Sequence, residues 1–246
     1  MSTLVTPLAS TPALPGRRYD RVFFPVMAVL ILICVFLGFA RTYFLAGMIH
    51  APLPSWIIHV HGALFSSWIL LFLVQVSLVS GRRLDLHKKL GLFGFGLSCV
   101  MIVFGLLAAR NSLMRGISPV PSMDVRTFFV IPISSMFVFA TLIFFGYKLR
   151  KNPIAHKRVM MIATISLLGA AIFRWPFAFV HNHILADLTL YLFLLAIMAY
   201  DLWSTHKVQR ATIFASLFVI VVQQVSVPLA MTHPWIHFAD FIAGKS

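Results

Sequence analysis

The residues best suited to chemistry in this sequence are its ten histidines, most of which lie near the ends of long apolar segments. Neutral imidazoles bind haem iron and other metal ions, and a histidine can gain or lose a proton near neutral pH. Three of them, His61, His87 and His156, are the first candidates for haem ligands. His181 is the candidate partner of His61, because both are predicted near the same end of their segments.

An arginine in the run FRWPFAFVHNH adds a charge to this picture. Arg174 lies about seven residues inside the predicted outer boundary of its segment, which is about 10 Å at the rise of an α-helix. An arginine at such a depth is costly unless it is paired or hydrated, so it marks a functional site. All six acidic residues lie at segment edges or in loops. Unless Asp187 reaches it, Arg174 is predicted to rely on carbonyls, water or an anionic ligand such as a haem propionate. The alternative is a side chain that extends to the outer lipid headgroups.

A second kind of site is suggested by closely spaced histidines. Pairs with the spacings HxH and HxxxH could converge at one end of a bundle and bind copper or zinc. The candidate metal ligands are His59, His183, His233 and His237.

Polar residues inside apolar segments indicate a pocket as well. His61, Trp68 and Gln75 are spaced by seven, so they share one face of a helix. Gln224 is predicted at the depth of His61 and Arg174 in the outer half of the bundle, which suggests a common pocket. The candidate pocket residues are Trp68, Gln75, Gln223 and Gln224.

Composition decides which elements carry these residues. The chain has 246 residues, of which 60% are hydrophobic and 11% charged, and its mean hydropathy is +0.94. Soluble domains carry about 25% charged residues, so a soluble globular protein is excluded. The apolar residues form blocks of about 20, the length that crosses a bilayer as a helix. The prediction is an all-α, polytopic membrane protein with seven spans: 22–40, 56–79, 90–109, 128–147, 158–180, 187–203 and 211–232.

The charge distribution predicts the orientation of the bundle. The net charge is +14, and 14 of the 20 basic residues fall before span one or in the loops after spans two, four and six. By the positive-inside rule the N-terminus is cytoplasmic and the C-terminus outside. Because the bases lie in loops, the lipid bilayer is the predicted partner and nucleic acid is not. Residues 1–16 are predicted as a disordered tail, 17–237 as the transmembrane domain, and 238–246 as a short C-terminal tail.

Three motifs carry a resemblance to known proteins. These are His59-x-His61-Gly62, the segment Leu86–Gly91 (LHKKLG), and His156-Lys157-Arg158-x-Met160. Together they resemble a group of bacterial multi-spanning membrane proteins of unassigned function, over most of spans two to seven. More distantly, the chain is similar to cytochrome b561-type proteins, whose helices carry paired haem-ligating histidines. That resemblance implies haem b held by pairs such as His61 with His181, and His87 with His156.

These observations lead to three functional hypotheses. The first is a haem- or metal-binding protein of membrane electron transfer in a bacterial inner membrane, with a membrane redox partner or a quinone; haem b is preferred over copper or zinc. The second is a non-enzymatic membrane subunit or assembly factor with interfacial histidines. The third draws on a resemblance to seven-span zinc hydrolases of the ceramidase and progestin-receptor type, through Ser66, Ser67 and His233-x-x-x-His237. The sequence leaves open whether the chain is an enzyme.

Overall fold

The computed structural model describes residues 16–45, 55–116, 118, 120 and 123–244, and this part of the chain is helical. Nearly all of the predicted N-terminal tail, and the last two residues of the chain, lie outside the described residues. The helices are α1 (Gly16–Phe39), α2 (Trp56–Ser80), α3 (Leu84–Met114), α4 (Val125–Lys148), α5 (Pro153–Ile165), α6 (Gly169–Ile172), α7 (His183–Thr205), α8 (Arg210–Ala230) and α9 (His233–Ala243).

Seven stretches of the described chain are long and apolar enough to cross a membrane, which confirms the predicted fold class. Helix α1 continues through a π-helical turn, Ala40–Phe44, and α5 continues through α6. The large apolar side chains that point outward along these helices suit a lipid environment, where every backbone polar group must be satisfied within the helix.

The fifth span lies at the centre of the bundle. Helices α1, α2, α3, α4, α8 and α7 follow one another around it, each in contact with the next, and α7 closes the ring against α1. Helix α5 contacts α1, α4, α7 and α8. Most of its residues from Arg158 to Ile165 are fully buried, so the core of the protein is built on this helix.

Polar residues at the helix starts explain where several helices begin. The Asn152 side chain accepts a hydrogen bond from Ala155 N, and Pro153 occupies the first turn of α5. Asn182 accepts from the backbone N–H groups of Ile184 and Leu185 at the start of α7. These side chains satisfy N–H groups that have no partner within the helix.

The fifth span differs from the continuous helix predicted over 158–180. Regular α-helix ends at Ile165, and residues 166–168 form a turn before the single turn of α6. Several bonds here run from residue i to i−3, such as Leu168 N to Ile165 O at 2.9 Å. Pro176 then prevents a return to helix, because it lacks an N–H and restricts the residue before it.

The C-terminal end also differs from the predicted tail. Helix α8 ends at Ala230, and α9 packs against α3 and α4 through the buried Ala239. Trp235 Nε1 donates to Arg126 O at 2.9 Å, and Arg126 forms an ion pair with Asp240. Pro234 lies in the first turn of α9, where proline starts a helix rather than breaking it.

Candidate functional site

In the orientation predicted from the basic loops, from which the outer and inner ends of the bundle take their names, His61 lies in the outer half. It is half-buried and has incomplete hydrogen bonding. His61 lies five residues into α2, or about 7.5 Å from its outer end at 1.5 Å per residue. Its Nδ1 is fully buried and has no hydrogen-bond partner among the described residues. The Phe65 ring stacks on the imidazole at a centroid distance of 4.1 Å, and the backbone carbonyl of Phe104 also interacts with the histidine ring. Buried polar atoms without partners are rare, so this nitrogen is a candidate contact for a ligand.

Arg174, which follows the short helix α6, is close enough for its charge to act on the His61 ring. Its Nη1 donates to Ala170 O at 2.6 Å, and its guanidinium lies over the Phe39 ring, 5.1 Å from the centroid. Within the described chain no carboxylate lies at ion-pair distance from Arg174. Asp187, the nearest acid in sequence on this side, accepts a hydrogen bond from Gln224 instead. The arginine therefore keeps donors that no protein anion uses.

His61 and Arg174 together offer a hydrogen-bond acceptor and hydrogen-bond donors. The guanidinium is close enough for its charge to act on the His61 ring. With the His61 proton on Nε2, toward the Phe104 carbonyl, Nδ1 is an acceptor, while the guanidinium is only a donor. Two phenyl rings, Phe65 and Phe39, flank these groups. The arrangement can bind a flat molecule that donates one hydrogen bond and accepts another.

At the inner end of the bundle, His87 contacts Gln75 of the neighbouring helix. In the amide orientation that satisfies both of its ends, Gln75 Nε2 donates to His87 Nδ1 at 2.6 Å, and its Oε1 accepts from Gly91 N at 2.8 Å. Because Nδ1 is an acceptor, the neutral ring of His87 carries its proton on Nε2. This nitrogen is then unable to coordinate a metal ion.

His156 is the nearest histidine to His87, with ring centroids 6.3 Å apart and ring planes at 77°. Two imidazoles on opposite sides of one metal ion have centroids about 6 Å apart, since each metal–nitrogen bond is about 2.0 Å. His156 Nδ1 lies 2.8 Å from Gly146 O, the backbone contact typical of a ligating histidine. The separation of the two rings and the Nδ1 contact of His156 fit coordination of one metal ion. The hydrogen bond from Gln75 instead leaves the proton of His87 on Nε2, the nitrogen that would have to bind the metal. As arranged, the pair does not fit haem held by two histidines.

The remaining haem prediction paired His61 with His181. The His181 side chain lies outside the part of the chain that the structure describes. His61 and His87 belong to opposite ends of the bundle, because Gln75, the neighbour of His87, is 14 residues along α2 from His61, or about 21 Å. They therefore cannot bind one cofactor together.

The four candidate metal ligands are distributed over three separate elements. His59 lies beside Tyr43, with ring centroids 5.8 Å apart, and His183 stacks on Phe173 at 5.5 Å. His233 and His237 are exposed on α9. Among the described residues, no three side chains of His, Cys, Asp or Glu are grouped so that they could hold a metal ion.

The four candidate pocket residues lie in four different surroundings. Trp68 is buried and donates from Nε1 to Thr164 Oγ1 at 3.3 Å. Gln75 contacts His87 at the inner end of the bundle. Gln224 is exposed and donates to Tyr191 Oη at 2.7 Å. Gln223 lines a small cavity between α4, α8 and the turn after α5. The predicted similarity in depth therefore does not bring these side chains into one pocket, because residues at one depth can point to different sides of the bundle.

Sequence reasoning missed a buried ion pair at the inner end of the bundle. Arg158 on α5 and Asp201 on α7 are 2% and 0% exposed, and Arg158 Nε donates to Asp201 Oδ1 at 2.7 Å. A second ion pair joins Asp20 of α1 to Lys157, and Tyr200 Oη donates to Asp20 at 2.8 Å. The signal was present, because Asp201 falls inside the predicted span 187–203, where an acid marks a structural or functional contact.

Comparisons of the chain with models of known protein families, with curated proteins and with solved structures find no match. The resemblances proposed from sequence motifs therefore stay predictions. The features of the described chain that bear on function are His61 with Arg174, the pair His87 and His156, and the cavity lined by Gln223.

Proposed function

We propose that this protein binds a lipid-soluble ligand of the quinone class in the outer half of a membrane, between His61 and Arg174. One observation carries the proposal. The fully buried Nδ1 of His61 has no hydrogen-bond partner among the described residues, and it lies within the electrostatic range of a guanidinium that forms no ion pair with any described carboxylate. Each group costs free energy when it is left alone in a low-dielectric interior, and a ligand that satisfies both recovers that free energy.

The chemistry of the site favours a quinone over other membrane ligands. A quinol hydroxyl can donate to His61 Nδ1, and the oxygen on the opposite side of its ring can accept from Arg174. The quinone ring is flat and can pack against Phe65, which already stacks on His61. Its apolar tail would extend between the helices into the lipid. A phospholipid headgroup would satisfy the arginine but would leave the aromatic side chains without a ring to contact.

This proposal retains the electron-transfer hypothesis without haem. The quinone pool of a bacterial inner membrane would be the source of the ligand, with the N-terminus cytoplasmic as the basic loops predict. In that orientation His61 and Arg174 open toward the outer leaflet. The inner pair, His87 and His156, would lie on the opposite side and would not contact the same molecule.

Binding can be measured directly in lipid nanodiscs with a short-chain benzoquinone and a naphthoquinone. Trp175 is adjacent to Arg174 in sequence, and its Nε1 donates to Cys34 O at 3.0 Å, so quenching of tryptophan fluorescence reports on this site. We expect Arg174→Gln and His61→Phe each to weaken binding at least about tenfold, which corresponds to about 1.4 kcal/mol. Phenylalanine keeps the aromatic stacking on Phe65 and removes only the ring nitrogens.

Matched controls exist on the same side of the bundle. His59→Asn changes an exposed histidine two residues away, and Arg41→Gln changes an exposed arginine of the π-helical turn. Both should bind as the wild type does. If the wild-type protein binds neither quinone, the proposal fails and the non-enzymatic subunit becomes the leading hypothesis. If binding is equal in all four variants, a quinone site exists elsewhere and His61 and Arg174 do not form it.

A further inference from the structure

A small cavity lies between α4, α8 and the turn that follows α5. Its volume is about 10 Å³, and Ser134, Ser135, Ser166 and Gln223 provide its polar lining. The remainder of the wall is formed by valines. This volume is close to the smallest that holds one water-sized particle. The cavity is in the interior of the bundle and distinct from the proposed quinone site, which α2 and the segment after α6 form.

The hydrogen atoms of the three serine hydroxyls are already used. Ser134 Oγ and Ser135 Oγ both donate to the carbonyl oxygen of Ile131, at 3.0 and 2.8 Å. Ser166 Oγ donates to Ala163 O at 2.8 Å. A hydroxyl has one hydrogen and two lone pairs, so each serine offers the cavity only an acceptor.

The fourth polar group of the lining has the same character. Gln223 Oε1 is fully buried, and no described residue donates a hydrogen bond to it. Its Nε2 is directed elsewhere, toward Gly169, where an added Cβ would lie 4.0 Å away. The four polar residues of the lining therefore offer oxygen acceptors, and Gln223 Oε1 is the one of them that has no partner among the described residues.

From this one-sided lining we infer that the cavity binds a monovalent cation, with Na⁺ the best match in size and ligand type. A water molecule has two hydrogens and can donate to at most two of the four oxygens, whereas a cation can interact with all of them. Neutral hydroxyl and amide oxygens are hard ligands of the kind that hold alkali cations in membrane proteins. The lining has no carboxylate, and divalent ions such as Ca²⁺ or Mg²⁺ are normally bound by carboxylates.

The position of the cavity in the chain supports the same inference. Ser166 is the first residue after α5, where the central span leaves α-helical geometry. Interrupted helices inside membranes occur where they line a cavity, and their freed ends are used to coordinate ions. A cation bound here would join the turn of the central span to α4 and α8. Binding should therefore stabilise the whole bundle.

The test compares the thermal unfolding of the purified protein in NaCl, KCl and choline chloride at equal ionic strength. A ligand that binds only the folded state raises the unfolding temperature in a concentration-dependent manner. We expect Na⁺ to raise it by several degrees over choline, with a saturable dependence, and K⁺ to raise it less. Radioactive sodium should bind the wild-type protein with a stoichiometry near one.

Two pairs of variants identify the site. Gln223→Leu and Ser135→Ala should lose the Na⁺-dependent shift. Gln224→Leu and Thr141→Ala should keep it, because Gln224 is exposed on the same helix as Gln223 and Thr141 bonds only its own helix, as Ser135 does. Equal unfolding temperatures of the wild type in all three salts, without sodium binding, would overturn the inference and assign the cavity to water. A shift retained in both site variants would overturn it as well.

Discussion

Arg158 and Asp201, which are 43 residues apart in sequence, form a buried ion pair that fastens the central helix to the outer ring. Arg158 donates to Asp201 Oδ1, and the other carboxylate oxygen accepts from Gln209 N at 3.1 Å and from Thr212 Oγ1 at 2.5 Å. One aspartate therefore connects α5, α7 and the start of α8. Since every lone pair direction of this carboxylate is used, the pair meets the conditions under which a buried charge is tolerated.

Removing one partner of this pair should be strongly destabilising. Arg158→Met leaves the Asp201 carboxylate buried without its counter-charge, and such changes cost about 3–5 kcal/mol. Asp201→Asn leaves the guanidinium in the same situation. The double variant should lose less than the sum of the two single changes, because each single change already removes the same interaction. Thermal unfolding in detergent, evaluated as a double-mutant cycle, measures these differences.

Arg126→Met provides the matched control. Arg126 also forms ion pairs, with Asp124 and Asp240, but its side chain is 39% exposed. Exposed pairs contribute about 0–1 kcal/mol, so this variant should unfold near the wild-type temperature. If Arg158→Met were as stable as Arg126→Met, the Arg158–Asp201 pair would not stabilise the bundle.

Asp124 should make the start of α4 sensitive to acid. Hydrogen bonds from Arg126 hold the pKa of this carboxyl below its ordinary value of 3.8. A carboxyl with a lowered pKa in the folded state stabilises that state above the ordinary pKa, and the contribution is lost as the pH falls through the folded-state pKa. Asp124→Asn keeps an acceptor for Arg126 N and removes the charge, so it isolates this effect.

The measurement for Asp124 is the difference in unfolding temperature between wild type and Asp124→Asn as a function of pH. The difference should favour the wild type at neutral pH and shrink toward zero between about pH 5 and pH 2. It should be small throughout, because the Asp124 side chain is half exposed. A difference that grew with acid would contradict the pKa shift.

The number of spans could be predicted from the sequence because it depends only on the length and hydropathy of each segment. The positions of His61, His87 and Gln224 along their segments could be predicted for the same reason. Which neighbour each side chain meets depends on the rotation and packing of whole helices, so the sequence did not reveal that Gln75 reaches His87 or that Gln223 and Gln224 face different surroundings. The break after Ile165 was missed because its apolar composition is that of a continuous helix.

The buried hydrogen bond between Trp68 and Thr164 should contribute to the free energy of unfolding although it is long. Trp68 Nε1 donates to Thr164 Oγ1 at 3.3 Å between α2 and the central helix, and both residues are buried. Thr164→Val keeps the shape of the side chain but leaves the indole N–H without an acceptor, which costs about 1–3 kcal/mol. Thr141→Val is the control and should change little, because this half-buried hydroxyl bonds only Phe137 O of its own helix. Equal unfolding temperatures of the two variants would show that the indole finds another acceptor.

The close approach of α1 to α6 should make Gly38 intolerant of any side chain. A Cβ at Gly38 would lie 2.2 Å from Ala171 O and 2.7 Å from Ala171 Cα, and these are backbone atoms that cannot rotate away. Gly38→Ala should therefore destabilise the protein by about 1–3 kcal/mol, more than the gain of about 0.5–1 kcal/mol from replacing a helical glycine. Gly96→Ala should give that gain alone, because a Cβ at Gly96 meets nothing within 4 Å.

The Gly38→Ala variant also tests whether the position of Arg174 determines the affinity for quinone. Ala171 lies three residues before Arg174, and the guanidinium lies over Phe39 of α1, so moving α6 away from α1 also displaces the guanidinium from its site. Gly38→Ala should then weaken quinone binding as well as lower the unfolding temperature, whereas Gly96→Ala should leave binding unchanged. If Gly38→Ala lowers the unfolding temperature but binds quinone as the wild type does, the position of Arg174 is not what determines affinity. If it raises the unfolding temperature as Gly96→Ala does, the two helix backbones are not in close contact.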